Sequence, residues 1–180
     1  MSSGAILWLT GLSGAGKTTL AQAVGERLRA VTAVEILDGE ELRRDLSQEL
    51  GFSKADRDIN VRRLGLIGRL LARHGVFVIT AAISPYADTR AEMRRAAERE
   101  RIPFVEAFVD SSLQTLIDRD VKGLYRRALA GEIDHFTGIS DPYEPPSQPD
   151  VVVKTDVESV RESVEVILRV LVDRGLVAFH

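Results

Sequence analysis

Along the chain, short runs of consecutive apolar residues alternate with longer stretches in which apolar positions recur every three or four residues. The runs at 5–10, 34–38, 76–80, 104–109 and 151–153 have strand length, and their continuous apolarity predicts strands buried on both faces. The stretches between them predict helices over 17–29, 40–49, 55–73, 87–101, 112–117 and 157–174. Parallel strands need a crossover between them, and a helix is the usual one. The alternation therefore predicts an α/β fold with a five-stranded parallel sheet flanked by helices, in a single domain spanning 1–180.

One stretch breaks the rhythm. From 119 to 149 no clean hydrophobic period survives, and it ends in Asp141-Pro142-Tyr143-Glu144-Pro145-Pro146, rich in turn and extended-chain formers. A connection this long inside a compact domain usually carries function, often as a lid.

Composition narrows the picture mainly by exclusion. The net charge of −3 offers no general attraction to nucleic acid or to an anionic membrane, so any polyanion site must be built locally. The chain contains no cysteine, which excludes disulfides, thiolate metal sites and cysteine nucleophiles and is compatible with a reducing compartment. The first apolar run is too short for a membrane span and lacks the flanks of a signal peptide. A cytoplasmic location is the expectation.

The densest chemical signal is Gly11-Leu12-Ser13-Gly14-Ala15-Gly16-Lys17-Thr18-Thr19, which fits the eight-position pattern G-x-x-x-x-G-K-[ST] between a predicted strand and a predicted helix. In that setting glycines let successive backbone N–H groups wrap phosphates at a helix N-terminus. Lys17 would reach the outer phosphates and Thr18 would ligate Mg²⁺, with ATP as the nucleotide. A guanine-reading Asn-Lys-x-Asp element is missing, since the only asparagine, Asn60, precedes Val61-Arg62-Arg63. The four residues Asp120-Val121-Lys122-Gly123 match a GTPase switch pattern, but they follow a polar helix and read as coincidence.

Two predicted strands end in acids. In open parallel sheets ligands bind at the carboxyl ends of the strands, so Asp38 is a candidate to orient a hydroxyl or hold a metal-bound water, helped by a glycine that would admit a ligand closely. Asp110 reads as a helix cap. Further on, 54–74 carries six basic residues against two acidic ones. Arg57 and Asn60 extend the apolar stripe Val61-Leu64-Ile67-Leu71 by one turn and should face inward, toward an anion or a ribose. Arg62, Arg69 and Arg73 read as a solvated face. Ser84-Pro85 reads locally as a helix N-cap followed by proline at the first helical position.

Taken together, GLSGAGKTT, ILDGEELR, LGFSKADRDINVRR, ISPYADTR, RDVKGLYRRALAGEI and HFTGISDPYEPP resemble, in order and over nearly the whole chain, the signatures of the adenylylsulfate kinase family. The resemblance implies a three-layer P-loop kinase fold with a lid at about 119–149. It implies transfer of the γ-phosphate of MgATP to the ribose 3′-hydroxyl of adenosine 5′-phosphosulfate (APS). The family's acceptor contacts fall on Asp38, Arg43, Phe52, Arg57, Asn60, Ile83, Ser84, Lys122, Leu124 and Phe136, with Phe52 and Phe136 matching the pair that sandwiches the acceptor adenine. Nucleotide contacts fall on Gly11, Ser13, Gly14, Ala15, Gly16, Lys17, Thr18 and Thr19, and metal contacts on Thr18 and Asp38.

By the resemblance, Ser84 corresponds to the serine for which a phosphoserine intermediate has been reported in the family. Direct in-line transfer needs no enzyme nucleophile, so a positioning role fits it better. Arg119 and Lys122 resemble lid residues, with Arg119 placed to stabilise charge on the transferring group.

Two departures stand out. The family's usual Asp-Gly-Asp is Asp38-Gly39-Glu40 here, and the cysteines that regulate plant members are missing. Readings that stay open are a P-loop kinase of another small molecule and a nucleotide-binding module that has lost turnover and docks on an ATP sulfurylase. The helix from 157 has apolar residues enough for a homodimer contact, and core packing explains them equally.

Overall fold

In the computed structural model, which describes residues 4–179, five parallel strands form one sheet in the order β2-β3-β1-β4-β5. They are β1 (Ile6–Thr10), β2 (Val34–Asp38), β3 (Phe77–Ala81), β4 (Phe104–Asp110) and β5 (Val151–Lys154). Helices α1 (Lys17–Leu28), α2 (Gly39–Leu46), α3 (Lys54–Arg73), α4 (Ala87–Arg99), α5 (Leu113–Arg119), α6 (Leu124–Leu129) and α7 (Val160–Asp173) complete the chain. Among the described residues no helix is long and apolar enough to cross a membrane.

Burial on both faces holds for β1 and β3, and for most of β4. It fails for β2, which is an edge strand with only partly buried side chains, and for β5, the other edge, where buried and exposed residues alternate. Continuous apolarity therefore marked the sheet's interior correctly and overstated its margins.

Two hydrophobic layers sandwich the sheet. On one face Leu7 and Leu9 of β1 pack with Leu20 and Val24 of α1 and Ile167 and Leu171 of α7. On the other face Ile6 and Trp8 pack with Val61 and Leu64 of α3 and Met93 of α4. Trp8 stacks on Phe104 with centroids 5.7 Å apart. Each fully buried aliphatic side chain of this kind contributes about 1.5–3 kcal/mol, so the central strands are the stiffest platform available to a site at their ends.

Several boundaries moved, each for a local reason. Helix α2 stops at Leu46, not at 49, with Ser47 as its C-cap. Helix α7 begins at Val160 because Ser159 and Glu162 close a capping box there, so Val157, the expected start, is left exposed. Helix α5 runs on to Arg119, and its N-cap is Ser112, whose hydroxyl accepts from the Thr115 N–H. Asp110 is thus the last residue of β4 and no cap at all; its carbonyl receives the Thr155 N–H.

The irregular 119–149 stretch contains a helix the pattern did not predict. Six residues of α6 are too few to display a period, and the helix is started by Asp120, whose carboxylate accepts the backbone N–H groups of Tyr125 and Arg126. That turn accounts for the Asp120–Gly123 sequence without any switch.

Arg62, Arg69 and Arg73 are not simply solvated. Arg62 pairs with Glu92 of α4 at 2.9 Å, and Arg69 and Arg73 share Glu100 just beyond it.

Candidate functional site

β1 is the central strand, with β3 and β2 laid down on one side of it and β4 and β5 on the other, so the direction of strand order reverses beside it. The crevice opened at such a reversal is where parallel sheets place ligands. The glycine-rich loop 11–16 leaves β1 there and turns directly into α1. Gly14 and Gly16 adopt φ of 76° and 99°, conformations that L side chains rarely take. Gly11 is required for a different reason, since a Cβ would lie 2.4 Å from the Val109 carbonyl oxygen.

Lys17, the first residue of α1, is buried and folds its ammonium back onto the loop, donating to the carbonyls of Gly11 at 2.8 Å and Leu12 at 2.7 Å. Burial pushes its pKa down from 10.5 to about 8, against the pull of Glu40 and Asp38. A cation held this way gains from an incoming anion, because the anion favours the charged form that burial penalises.

Asp38 ends β2 beside this cradle. Its Oδ1 caps α2 by accepting the N–H groups of Glu40 and Glu41, and its Oδ2 accepts the Thr18 hydroxyl at 2.8 Å. Cap and candidate site residue are therefore one and the same. Gly39 has a packing reason of its own beside the expected one: a Cβ there would lie 2.8 Å from the Ala82 Cβ, so the glycine lets α2 pack on the end of β3.

Beyond Asp38 lies a second group of candidates. Arg57 donates to the carbonyls of Phe52 and His135, bridging α3's approach turn to the residue before Phe136. Phe52 is 51% exposed, with the guanidinium groups of Arg43 and Arg57 at 4.6 and 5.4 Å from its ring centre. Burial lowers the pKa of both arginines, because removal from water penalises the charged form. Asn60 is buried, and its Oδ1 has no hydrogen-bond partner among the described residues. An orphaned buried acceptor costs about 1–3 kcal/mol, which a donor on a bound molecule would recover. Phe52 and Phe136 make no ring contact with each other; Phe136 instead meets Tyr125 edge-on.

Ile83 and Ser84 form a pinned loop after β3. Ser84 is no N-cap: it sits at φ 41° three residues before α4, whose N-cap is Tyr86. The first amide of α4, at Ala87, is satisfied by the Glu144 carboxylate at 2.7 Å instead. The Ser84 hydroxyl accepts from the Trp8 indole N–H at 3.1 Å and donates to the Ala82 carbonyl at 3.3 Å. Its carbonyl receives Arg90 at 2.7 Å. No general base touches Ser84, and every contact it makes holds the loop in place.

The 119–149 segment returns to the site at several points. Lys122 pairs with both carboxylate oxygens of Glu40 at 2.8 Å, and Leu124 opens α6. Arg119 donates to the Thr155 carbonyl at 3.3 Å, beyond the end of β5. Thr19, on α1's first turn, is exposed.

Several contributors escaped the sequence reading. The Thr155 hydroxyl holds the Ala15 carbonyl at 2.7 Å, and the Tyr125 hydroxyl holds that of Ser13 at 2.6 Å. Thr10 donates to the Ile83 carbonyl at 2.7 Å and meets the Tyr143 hydroxyl at 2.9 Å. Thr10 and Trp8 lie in an apolar strand, and no pattern distinguishes them from core.

Among the described residues no group of three or more His, Cys, Asp or Glu side chains is arranged to hold a metal. A divalent cation here would need ligands from a bound molecule. Thr18 and Asp38 suit that arrangement, because a hydroxyl and a carboxylate oxygen lie together beside the phosphate cradle.

A profile of the adenylylsulphate kinase family matches residues 3–154. The adenylyl-sulfate kinase of Myxococcus xanthus (strain DK1622) is 59% identical over 175 residues, covering 97% of this chain and 95% of that protein. The adenylyl-sulfate kinase of Synechococcus sp. (strain JA-3-3Ab) is 53% identical over 173 residues, covering 96% of each. The solved structure of a Mycobacterium tuberculosis APS kinase in complex with AMPPNP and APS superposes with a TM-score of 0.90 at 43% identity, covering 95% of this chain and 99% of that one.

Proposed function

The chain belongs to the adenylylsulphate kinase family and is a kinase of that family, and from this premise we infer that it transfers the γ-phosphate of ATP to the ribose 3′-hydroxyl of APS. The products are 3′-phosphoadenosine 5′-phosphosulfate and ADP. The observation that carries this reading is the Thr18–Asp38 hydrogen bond. It fixes a carboxylate at the mouth of the phosphate cradle, where a donor phosphate and an acceptor hydroxyl have to meet.

In this reading the backbone N–H groups of 13–18 and the Lys17 ammonium hold the β- and γ-phosphates, and Lys17 exchanges its carbonyl partners for phosphate oxygens. Thr18 and Asp38 would hold Mg²⁺, which when bound supplies positive charge between the phosphates. Asp38 orients the acceptor hydroxyl and takes its proton as the phosphoryl group arrives in line. Its cap hydrogen bonds keep it from turning away. Arg57 and Arg43 face the acceptor's phosphosulfate, Asn60 Oδ1 accepts a donor from its nucleoside, and the open faces of Phe52 and Phe136 hold the adenine by stacking. Ile83 and Ser84 line the same side. The 119–149 segment serves as a lid bringing Arg119, Lys122 and Leu124 over the two substrates and excluding water from the transfer.

A coupled assay of ADP release with APS tests the reading. Turnover that vanishes in Lys17→Ala supports it. Nucleotide binding without turnover, or turnover only with a different acceptor, would sink it.

A further inference from the structure

Tyr125 stands between the two halves of the site and touches both. It is 3% exposed. Its hydroxyl donates to the Ser13 carbonyl in the phosphate loop at 2.6 Å, and its ring meets Phe136 with centroids 5.1 Å apart at 79°. Asp120 fixes its backbone by accepting the Tyr125 N–H at 2.9 Å.

The hydrogen bond to Ser13 has a directional consequence. The Ser13–Gly14 peptide is planar and trans, as no cis bond is present, so its carbonyl and the Gly14 N–H point in opposite directions. Anchoring the oxygen on Tyr125 therefore sets the aim of the Gly14 N–H, which has no protein partner among the described residues. That N–H is one of the loop's donors to phosphate. The edge-on aromatic contact ties the same residue to Phe136, and beside it Gly138 leaves so little room next to the Leu12 side chain that a Cβ there would lie 2.9 Å from it.

We propose that Tyr125 is a positioning residue that couples the two substrate sites, holding the acceptor-adenine platform at Phe136 in register with the phosphate-binding Ser13–Gly14 peptide. Occupation of one site then favours the geometry the other needs, so a bound ATP analogue tightens APS and, by reciprocity, APS tightens the analogue by the same factor. Burial pushes the phenol up to about 12, so the hydroxyl remains a donor across the working pH range. The proposal rests on Phe136 serving the acceptor, as proposed above.

Tyr125→Phe tests it, since this variant keeps the ring contact with Phe136 and removes only the hydroxyl. The quantities to measure are the Kd of APS with and without saturating β,γ-imido-ATP, and the Kd of the analogue alone, in wild type and variant. In wild type the analogue should tighten APS severalfold. In the variant that factor should shrink by about five-fold, the equivalent of one ordinary hydrogen bond, while APS alone binds within about two-fold of wild type and the ring contact keeps the fold intact. A wild-type protein that turns over APS but shows no such factor, or a variant that keeps the factor and loses only thermal stability, would overturn the coupling role and leave the kinase reading standing. A wild-type protein that neither binds nor turns over APS would overturn both.

Discussion

The Thr18 hydroxyl and Asp38 Oδ2 lie 2.8 Å apart, joining the first turn of α1 to the tip of β2. The other oxygen of Asp38 caps α2, so the carboxylate is held from two sides before any substrate arrives. A group held this way needs no reorganisation when charge develops next to it.

Asp38→Asn separates the helix cap from the proton transfer proposed for this residue. Asparagine caps a helix about as well as aspartate, so thermal stability should stay near that of the parent. It cannot accept a proton, and kcat should fall by about 10²–10⁴-fold. Asp38→Ala should lose the same activity and about 1 kcal/mol of stability besides. Steady-state rates and thermal melts on both variants decide the matter; an Asn variant with near-parental kcat would remove Asp38 from proton transfer.

Lys17 should impose a pH dependence that can be read without turnover. Burial lowers its pKa from 10.5 to about 8, so between those values the unfolded chain binds more protons at this position than the folded one. The contribution of Lys17 to stability therefore rises with pH across that window. A bound polyphosphate favours the charged form and reverses the effect. Nucleotide binding above about pH 8 should take up a proton and weaken as pH increases. Calorimetric titrations in buffers of different ionisation enthalpy would reveal the uptake, and an enthalpy independent of buffer would count against it.

Glu40 gives the Asp38-Gly39-Glu40 sequence a specific consequence. Its carboxylate holds Lys122 at 2.8 Å through both oxygens, with the two side chains 73% and 53% exposed. An exposed pair of this kind is worth about 0–1 kcal/mol, so Glu40→Gln should barely change the melting temperature. If Lys122 serves the substrate it must first leave Glu40, and releasing it should lower KM for APS by up to about five-fold at low salt, the equivalent of that same energy. The difference should fade in about 1 M salt, where screening acts within about 3 Å. A KM unchanged at low salt would show that the pair does not compete with substrate.

How much of the candidate site is legible in the sequence depends on how local its parts are. The phosphate cradle is contiguous, so its residue types and spacing expose it directly. Asp38 stood out because a strand end followed by glycine is a recognisable place for an acid, while the crowding of Gly39 by Ala82 depends on how α2 packs and is not written in the local sequence. Arg57 and Asn60 were visible because a polar residue on an apolar stripe contradicts its surroundings. The supports were not legible. Trp8 and Thr10 look like strand core, and only the fold brings them to Ser84 and Tyr143, 76 and 133 residues away. Tyr125 lies in a helix too short to announce itself. The edge position of β2 is likewise a matter of sheet order, which apolar runs do not encode.

The buried cluster around Arg90 should be the most stability-sensitive part of the acceptor side. Arg90 is 3% exposed and pairs with Glu106 at 2.9 Å, while its other nitrogens donate to the carbonyls of Ser84 and Glu144. One side chain thus ties β4, the loop after β3 and the end of the 119–149 segment together. Removing one member of a buried pair costs about 3–5 kcal/mol, because the remaining charge is left uncompensated. Arg94 lies 3.7 Å from the other oxygen of Glu106, which places Arg90→Gln toward the lower end, at about 3 kcal/mol. The Ser84 carbonyl would also lose the shorter of its two donors and keep only Thr10 at 3.4 Å, at a residue whose left-handed backbone costs about 1–3 kcal/mol by itself. With Ile83 and Ser84 serving the acceptor as proposed, KM for APS should rise while nucleotide affinity stays near that of the parent, since the Arg90 contacts reach the Ser84 loop and not the cradle. Urea unfolding and the two binding constants test both halves, and a variant equally weakened toward nucleotide and acceptor would mean that the cluster supports the sheet as a whole and not the Ser84 loop in particular.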